Sequence, residues 1–307
     1  MRGRDGSAVT NATDSQGVRL VAASRLFSSR VIREMGRKGR SPLFTRLGSA
    51  VRWLDLRSSF VSVRDVFDAA FALLSRSGQR DEYVYKAALT QRILLGKHSL
   101  HTASMLSEFR IGDCKADLAI LNGTSSVYEV KSERDSLTRL ERQITAYRTV
   151  FAKVYAIAAE NHVPDILSVV PDDVGVLQLD RRNYVSTVRE AEKRPERTSP
   201  RAIFESLRTR EAKLILESRG IRVPSVPNTE LYSVLRQLFG ELTPIEAHDS
   251  MVSVLKRTRD LRPLSELVDE LPVSLQTAAL LIPLRKSDHA RLINAVDTPL
   301  RDAMAWA

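Results

Sequence analysis

Cysteine is nearly absent. Cys114 is the single one in 307 residues, so no disulfide can form within the chain and a cysteine-built zinc site lacks its ligands. The five histidines are scattered and never take an HExxH spacing. No run approaches the roughly 18 apolar residues of a membrane-spanning helix. No GxxxxGK[ST] loop occurs, so any ATP dependence would have to come from another chain. No fixed-period repeat is visible, which leaves a solenoid unindicated. A reducing cytoplasm suits such a composition.

What is present is an ample apolar fraction and an uneven charge. Hydrophobic residues make up 43%, enough for a buried core and too many for wholesale disorder. The length suits two domains, or one domain with a helical appendage. The net charge is +10, yet residues 1–60 hold 12 Lys/Arg against 4 Asp/Glu, while the rest of the chain holds 35 against 33. The basic character is therefore N-terminal. A basic arm suits a polyanion, because neutralised phosphates release counterions. The alternative is a solvated tail without a specific partner.

Residues 1–16 are polar and read as disordered. Residues 17–35 read as an amphipathic helix, and their Arg- and Ser-rich composition gives a mitochondrial transit peptide as a minor reading. The spacing predicts helices over 61–76 and 80–95. Strands follow at 104–111, 116–121 and 126–131, with Asn122-Gly123 as a hairpin turn. A helix at 136–151, capped by Asp135 or Ser136, leads to strands at 153–158 and 175–179. No strand is expected from about 185 onward. Residues 189–201 read as a linker, and helices are expected near 201–219, 229–240, 244–259, 263–270, 273–283 and 287–295. The expected division is a basic arm at 1–60, an α/β domain at 61–185 and a helical domain at 201–307.

The sharpest feature is a set of charges inside apolar strands. Asp117 lies in Lys115-Ala116-Asp117-Leu118, and Glu129 and Lys131 lie in Tyr128-Glu129-Val130-Lys131. A charge in a buried strand is costly unless paired or bound to a metal. Glu129 and Lys131 are two apart and share a face, and the hairpin brings Asp117 near Glu129. Two neighbouring carboxylates repel, and a divalent cation relieves that repulsion. Mg²⁺, or Mn²⁺ in its place, takes hard oxygen ligands, and the backbone carbonyl of Val130 is another candidate. The chemistry such a centre suits is phosphodiester hydrolysis, with Lys131 assisting the attacking water. The alternative is a cross-strand salt bridge that catalyses nothing.

Asp117, followed twelve residues later by Glu129-Val130-Lys131, resembles the PD-(D/E)XK motif of the restriction-endonuclease-like nucleases. Lys115-Ala116-Asp117 departs from the motif's name in lacking the proline. The order of helix, three strands, helix and strand is similar to that superfamily's core, a central mixed sheet. Residues 82–158 resemble an uncharacterised bacterial family within it, through Leu95-Gly96-Lys97-His98-Ser99-Leu100, Ala116-Asp117 and Tyr128-Glu129-Val130-Lys131-Ser132-Glu133. The likeness extends weakly to Val223-Pro224-Ser225-Val226-Pro227-Asn228. The resemblance implies a further acidic ligand on the helix before the first strand, where Glu82 fits and Glu108 competes. Gln143-Ile144-Thr145-Ala146-Tyr147 resembles the QxxxY motif of the RecB-like branch, whose i, i+4 spacing places Gln143 and Tyr147 on one helix face. His98 is a candidate phosphate contact or a loop cap. Arg139, Arg142 and Arg148 line a phosphate path or are surface charge. Cys114 has no expected chemical role.

The sequence thus reads as a Mg²⁺-dependent nuclease with nucleic acid as partner, DNA ahead of RNA, and a helical region that offers a protein partner surface. Phage defence or DNA repair are the roles the resemblance implies. A catalytically silent nucleic-acid-binding protein with the same fold is the second reading, and a helical interaction protein with a small α/β head the third.

Overall fold

The computed structural model describes residues 6–50 and 62–306. They fall into two compact units: Met1–Ala87 with Pro263–Ala307, and Ala88–Arg262. The boundaries expected from sequence lay elsewhere, at 60, 185 and 201.

The first unit is helical. Its N-terminal part holds α1 (Gly6–Leu26), α2 (Ser29–Lys38), α3 (Pro42–Ala50), α4 (Val63–Leu74) and the start of α5 (Glu82–Leu89). Disorder was expected over 1–16, yet α1 begins at Gly6. Its C-terminal half buries Ala22, Ala23 and Leu26, and a packed half propagates helix into a polar half that would not nucleate alone. The helix expected over 17–35 is two helices, broken at Phe27-Ser28, because Phe27 turns inward to stack on Tyr83 with ring centroids 4.4 Å apart. Phe27 also meets Phe67, and Phe44 meets Phe67 and Trp306, so aromatic rings fill this core. Asp65 accepts from the backbone amide of Ser62 at 2.9 Å and fixes the start of α4.

The second unit is built on a six-stranded mixed sheet. Its strands are β1 (Ser104–Ile111), β2 (Cys114–Leu121), β3 (Ser125–Lys131), β4 (Lys153–Ala159), β5 (Gly175–Leu179) and β6 (Val185–Arg189), and their order in the sheet is the order in the chain. β1, β2 and β3 form an antiparallel meander. β3, β4 and β5 run parallel, joined by α6 (Leu140–Arg148) and then α7 (Val163–Val169), and β6 returns antiparallel. β6 corrects the expectation of no strand after 185. It is an edge strand whose residues beyond Val185 are partly or fully exposed, so it shows no apolar run. The expected linker at 189–201 is ordered as well, with the Arg194 amide on the carbonyl of Ala152 and the Ser199 amide on that of Thr149. Helix 80–95 is α5 followed by a π-helical turn, Thr90–Leu95. The helix expected from 136 starts only at Leu140, since Asp135 accepts from the amide of Ser132 at 2.8 Å and does not cap α6.

The remaining helices of the second unit are α8 (Pro200–Ser206), α9 (Thr209–Ser218), α10 (Asn228–Gly240) and α11 (Pro244–Thr258). They share one apolar core with α6 and one face of the sheet, which includes Leu121, Val127, Val154, Ala156, Ile144, Tyr147, Phe239 and Met251. α12 (Ser265–Glu270), α13 (Val273–Leu281), α14 (Lys286–Asp297) and α15 (Leu300–Ala303) return to the first unit. The amide of Val63 donates to the carbonyl of Thr298 at 3.0 Å there, and α14 packs against α2 and α4. The helical region read as one domain at 201–307 is therefore shared between two units. No helix among the described residues is long and apolar enough to cross a membrane.

Candidate active site

The hairpin of β2 and β3 brings the strand charges together. Gly123 takes φ +65° in its turn, and the Asn122 amide donates to the Thr124 carbonyl at 3.0 Å. The register runs from Leu121 opposite Ser125 to Leu118 opposite Tyr128. One step further would set Asp117 against Glu129, and there the ladder ends. Asp117 Oδ2 instead accepts the amide of Val130 at 2.8 Å. A side chain thus takes a backbone donor at the point where the strands part.

The neighbouring strand is distorted at the same level. Glu108 lies between Ser107, paired with Leu118, and Phe109, paired with Ala116, and has φ +56°. A non-glycine residue in the left-handed region costs roughly 1–2 kcal/mol. Leu106 and Phe109, three apart, both enter the apolar core, and so do Ala116 and Ala119. The two-residue alternation of a strand therefore slips by one on both strands at Glu108 and Asp117. This slip leaves Asp117 half-buried at the edge of the core. A glutamate at 108 is no bulge signal, so the slip is invisible in the sequence.

Glu129 and Lys131 are deeply placed, with side chains 3% and 6% exposed. Lys131 Nζ is 3.0 Å from Glu129 Oε1 and donates to Gln143 Oε1 at 2.9 Å. The Tyr147 hydroxyl lies 2.6 Å from Glu129 Oε2 and 3.0 Å from the Lys115 carbonyl. Its one proton belongs to the carboxylate, the stronger acceptor. Burial first, and then the charge of Glu129, push the Tyr147 hydroxyl far above its ordinary pKa, so it stays a donor. Gln143 and Tyr147 are one turn apart on α6 and grip the two ends of the Glu129–Lys131 pair.

The other candidates lie elsewhere. Glu82 belongs to the first unit, where it is half-exposed and ion-paired with Lys86 on α5. Glu108 is exposed and ion-paired with Lys115. Among the described residues no group of three or more His, Cys, Asp or Glu side chains is arranged to hold a metal. His98 Nδ1 accepts from Asn122 at 2.7 Å, and burial lowers its pKa. It lines a cavity of about 430 Å³ with Tyr128, Tyr155, Arg92, Lys153 and Glu190. Tyr128 alternates with Glu129 along β3, so this cavity opens on the opposite face of the sheet from the carboxylates. Arg139 and Arg142 are exposed, whereas Arg148 pairs with Asp173 at 2.9 Å. Cys114 is buried.

One polar chain has no counterpart among the motifs of the sequence. Ser125 Oγ is 2.9 Å from His248 Nε2, and His248 Nδ1 is 2.7 Å from Asp249 Oδ1. The order mimics a nucleophile, base and orienting acid. Ser125 is fully buried, however, and its Oγ also accepts the amide of Ala152 at 3.0 Å. Burial lowers the pKa of His248, so the ring is neutral, donating to Asp249 and accepting from Ser125. The chain ties α11 to β3 and to the start of β4.

Asp117 and Glu129 carry hard carboxylate oxygens on adjacent strands where the ladder ends, the oxygen type Mg²⁺ prefers. Asp117 Oδ2 accepts the Val130 amide, and both Glu129 oxygens have partners within the chain.

The sequence model of the family described as Bacteriophage P4 protein cII matches residues 75–261, which takes in nearly the whole second unit. Protein cII of Enterobacteria phage P4 is 35% identical to this chain over 92 residues, 29% of this chain and 35% of that protein. The chain therefore matches about a third of the length of this curated relative. No solved structure matches.

Proposed function

The chain belongs to the Bacteriophage P4 protein cII family, and from the geometry of the strand charges we propose that its second unit is a metal-dependent phosphodiesterase acting on nucleic acid, DNA ahead of RNA. The observation that carries this reading is the buried Glu129–Lys131 pair beside Asp117, held by Gln143 and Tyr147 from one helix face. A buried ion pair is seldom more stable than apolar residues of equal size, so its burial beside a second carboxylate calls for a use. Two further features support the restriction-endonuclease-like core. The antiparallel meander is followed by a helix and a parallel strand, and the acidic residues stand on β2 and β3.

In this reading Asp117, Glu129 and the carbonyl of Val130 would hold Mg²⁺, which would supply Lewis-acid polarisation of the phosphate and a lowered pKa for water. Lys131 orients the attacking water and offsets charge at the phosphorus as it builds up. Gln143 holds the ammonium in place, and Tyr147 fixes the Glu129 carboxylate by donating to its second oxygen. The backbone bond from Val130 to Asp117 holds both strands at a set separation.

A second reading keeps the fold and drops the chemistry. It is favoured by one observation: both Glu129 oxygens already have partners within the chain. Cleavage of labelled single- and double-stranded DNA and RNA separates the two, with Mg²⁺, Mn²⁺ or EDTA and with Glu129→Ala and Lys131→Ala in parallel. Metal-dependent cutting that both substitutions abolish, with circular dichroism unchanged, supports the enzyme. Equal inertness of all three chains supports the silent reading.

A further inference from the structure

The basic N-terminal segment belongs to the first unit, and the structure gives its described residues a shape. α2 turns Val31, Ile32, Met35 and Gly36 inward and leaves Arg30, Arg37 and Lys38 exposed, with Arg33 half-buried among them. Its inner side rests on α14. A Cβ at Gly36 would come within 3.2 Å of Leu284 Cδ2 and 3.3 Å of Asp288 Cβ, so a side chain there would make these neighbours give by a few tenths of an ångström. Arg291 Nε donates to the carbonyl of Gly36 at 2.9 Å and pins the crossing. A cleft of about 340 Å³ lies along the seam, lined by Arg37, Arg285, Ser287, Asp288 and Arg291.

The charge in this seam is one-sided. Glu34 is taken by Arg30 and by the Ser41 hydroxyl. Asp288 is buried, accepts the Arg285 amide at 3.1 Å and pairs with Arg291 at 2.7 Å. Arg285 also acts electrostatically on Asp288, and among the described residues no carboxylate forms an ion pair with Arg33, Arg37, Lys38 or Lys286. A surface this basic repels itself unless a polyanion lies on it. Guanidinium groups take phosphate oxygens in bidentate geometry. A lipid surface fits poorly, because the apolar residues of α2 are spent on the core and none remains to enter a bilayer.

We propose that the seam of α2 and α14 is a docking face for the phosphodiester backbone of nucleic acid, with Arg37, Arg285 and Arg291 around one phosphate and Arg33, Lys38 and Lys286 flanking it. The identity of the polyanion rests on the phosphodiesterase reading, and the seam itself does not.

The test is binding by the full chain carrying Lys131→Ala, in EDTA, to a labelled DNA duplex. Affinity is followed by fluorescence anisotropy between about 50 and 200 mM salt. Arg37→Glu with Arg285→Glu is expected to weaken binding at least about tenfold and to lower the slope of log K against log salt by about one, near 0.9 for the phosphate the two arginines share. Arg37→Gln with Lys38→Gln, which spares the start of α14, is expected to lower the slope similarly. Unchanged affinity and slope in both variants would overturn the face. So would equal affinity of the unreversed face for a polyglutamate of matching charge. Cleavage by the chain with Lys131 intact is read separately. Cleavage without a salt effect of the reversals sinks the face and leaves the enzyme, and the opposite pattern does the reverse.

Discussion

Tyr147 touches both Glu129 and the Lys115 carbonyl, so its hydroxyl joins α6 to β2 and β3. Tyr147→Phe is expected to cost about 1–2 kcal/mol of stability, because a buried carboxylate loses a donor. Urea titration reads this directly, and a loss within error would show that the hydroxyl does not support Glu129. His248 sets a pH dependence. Burial holds its pKa below the ordinary 6.5, so the unfolded chain takes up a proton that the native chain refuses. Stability is full above about pH 6.5 and falls as pH drops below it. His248→Gln is expected to flatten that fall, and a wild-type slope in the variant would remove His248 from it. At this scale the contacts of Glu129, Lys131, Gln143 and Tyr147 were legible, since they follow from strand and helix periods that put them on facing surfaces. Asp117 reaches the Val130 amide only through the slip at Glu108, which no period encodes. His98 was not legible either, since the loop that carries it leads to the other side of the sheet. Glu82 found its partner in Lys86, one helical turn away, and that spacing is as plain in the sequence as any ligand role.

Gly175 shows how an element depends on one missing side chain. It stands opposite Tyr155 on β4, and a Cβ there would run into the Tyr155 ring and to within 2.8 Å of the Ala191 amide. Tyr155 in turn stacks on Tyr128, with centroids 5.2 Å apart. Gly175→Ala is expected to destabilise by about 1–3 kcal/mol through overpacking, and a thermal melt equal to wild type would contradict it. Strands with buried faces were readable from composition, and the Asn122-Gly123 turn from chemistry. β6 was not, because an edge strand with one buried residue has no hydrophobic signature. The early part of α1 was hidden for a related reason: its helix is sustained by packing further along the chain.

The units of the whole molecule are the least visible from sequence. The first unit closes when residues beyond 262 return to α2 and α4, a pairing across more than two hundred positions that no local pattern records. The second unit is continuous and has its own core. A fragment of residues 75–262 is accordingly expected to fold alone, with one cooperative melt and a structured near-ultraviolet circular dichroism spectrum. A featureless spectrum would show that it does not.

The most direct measurement on the proposed centre is single-turnover cleavage by Asp117→Asn. Asparagine keeps an oxygen for the Val130 amide, removes the charge and puts an NH2 group in place of the second oxygen, so the bond to Val130 is retained. A hydrolytic centre at Asp117 predicts an unchanged melting temperature and a rate lower by about a hundredfold or more, the scale on which removing one group that stabilises developing charge is felt. A rate equal to wild type would contradict a role for Asp117 in the chemistry and return it to the hairpin as a structural acceptor.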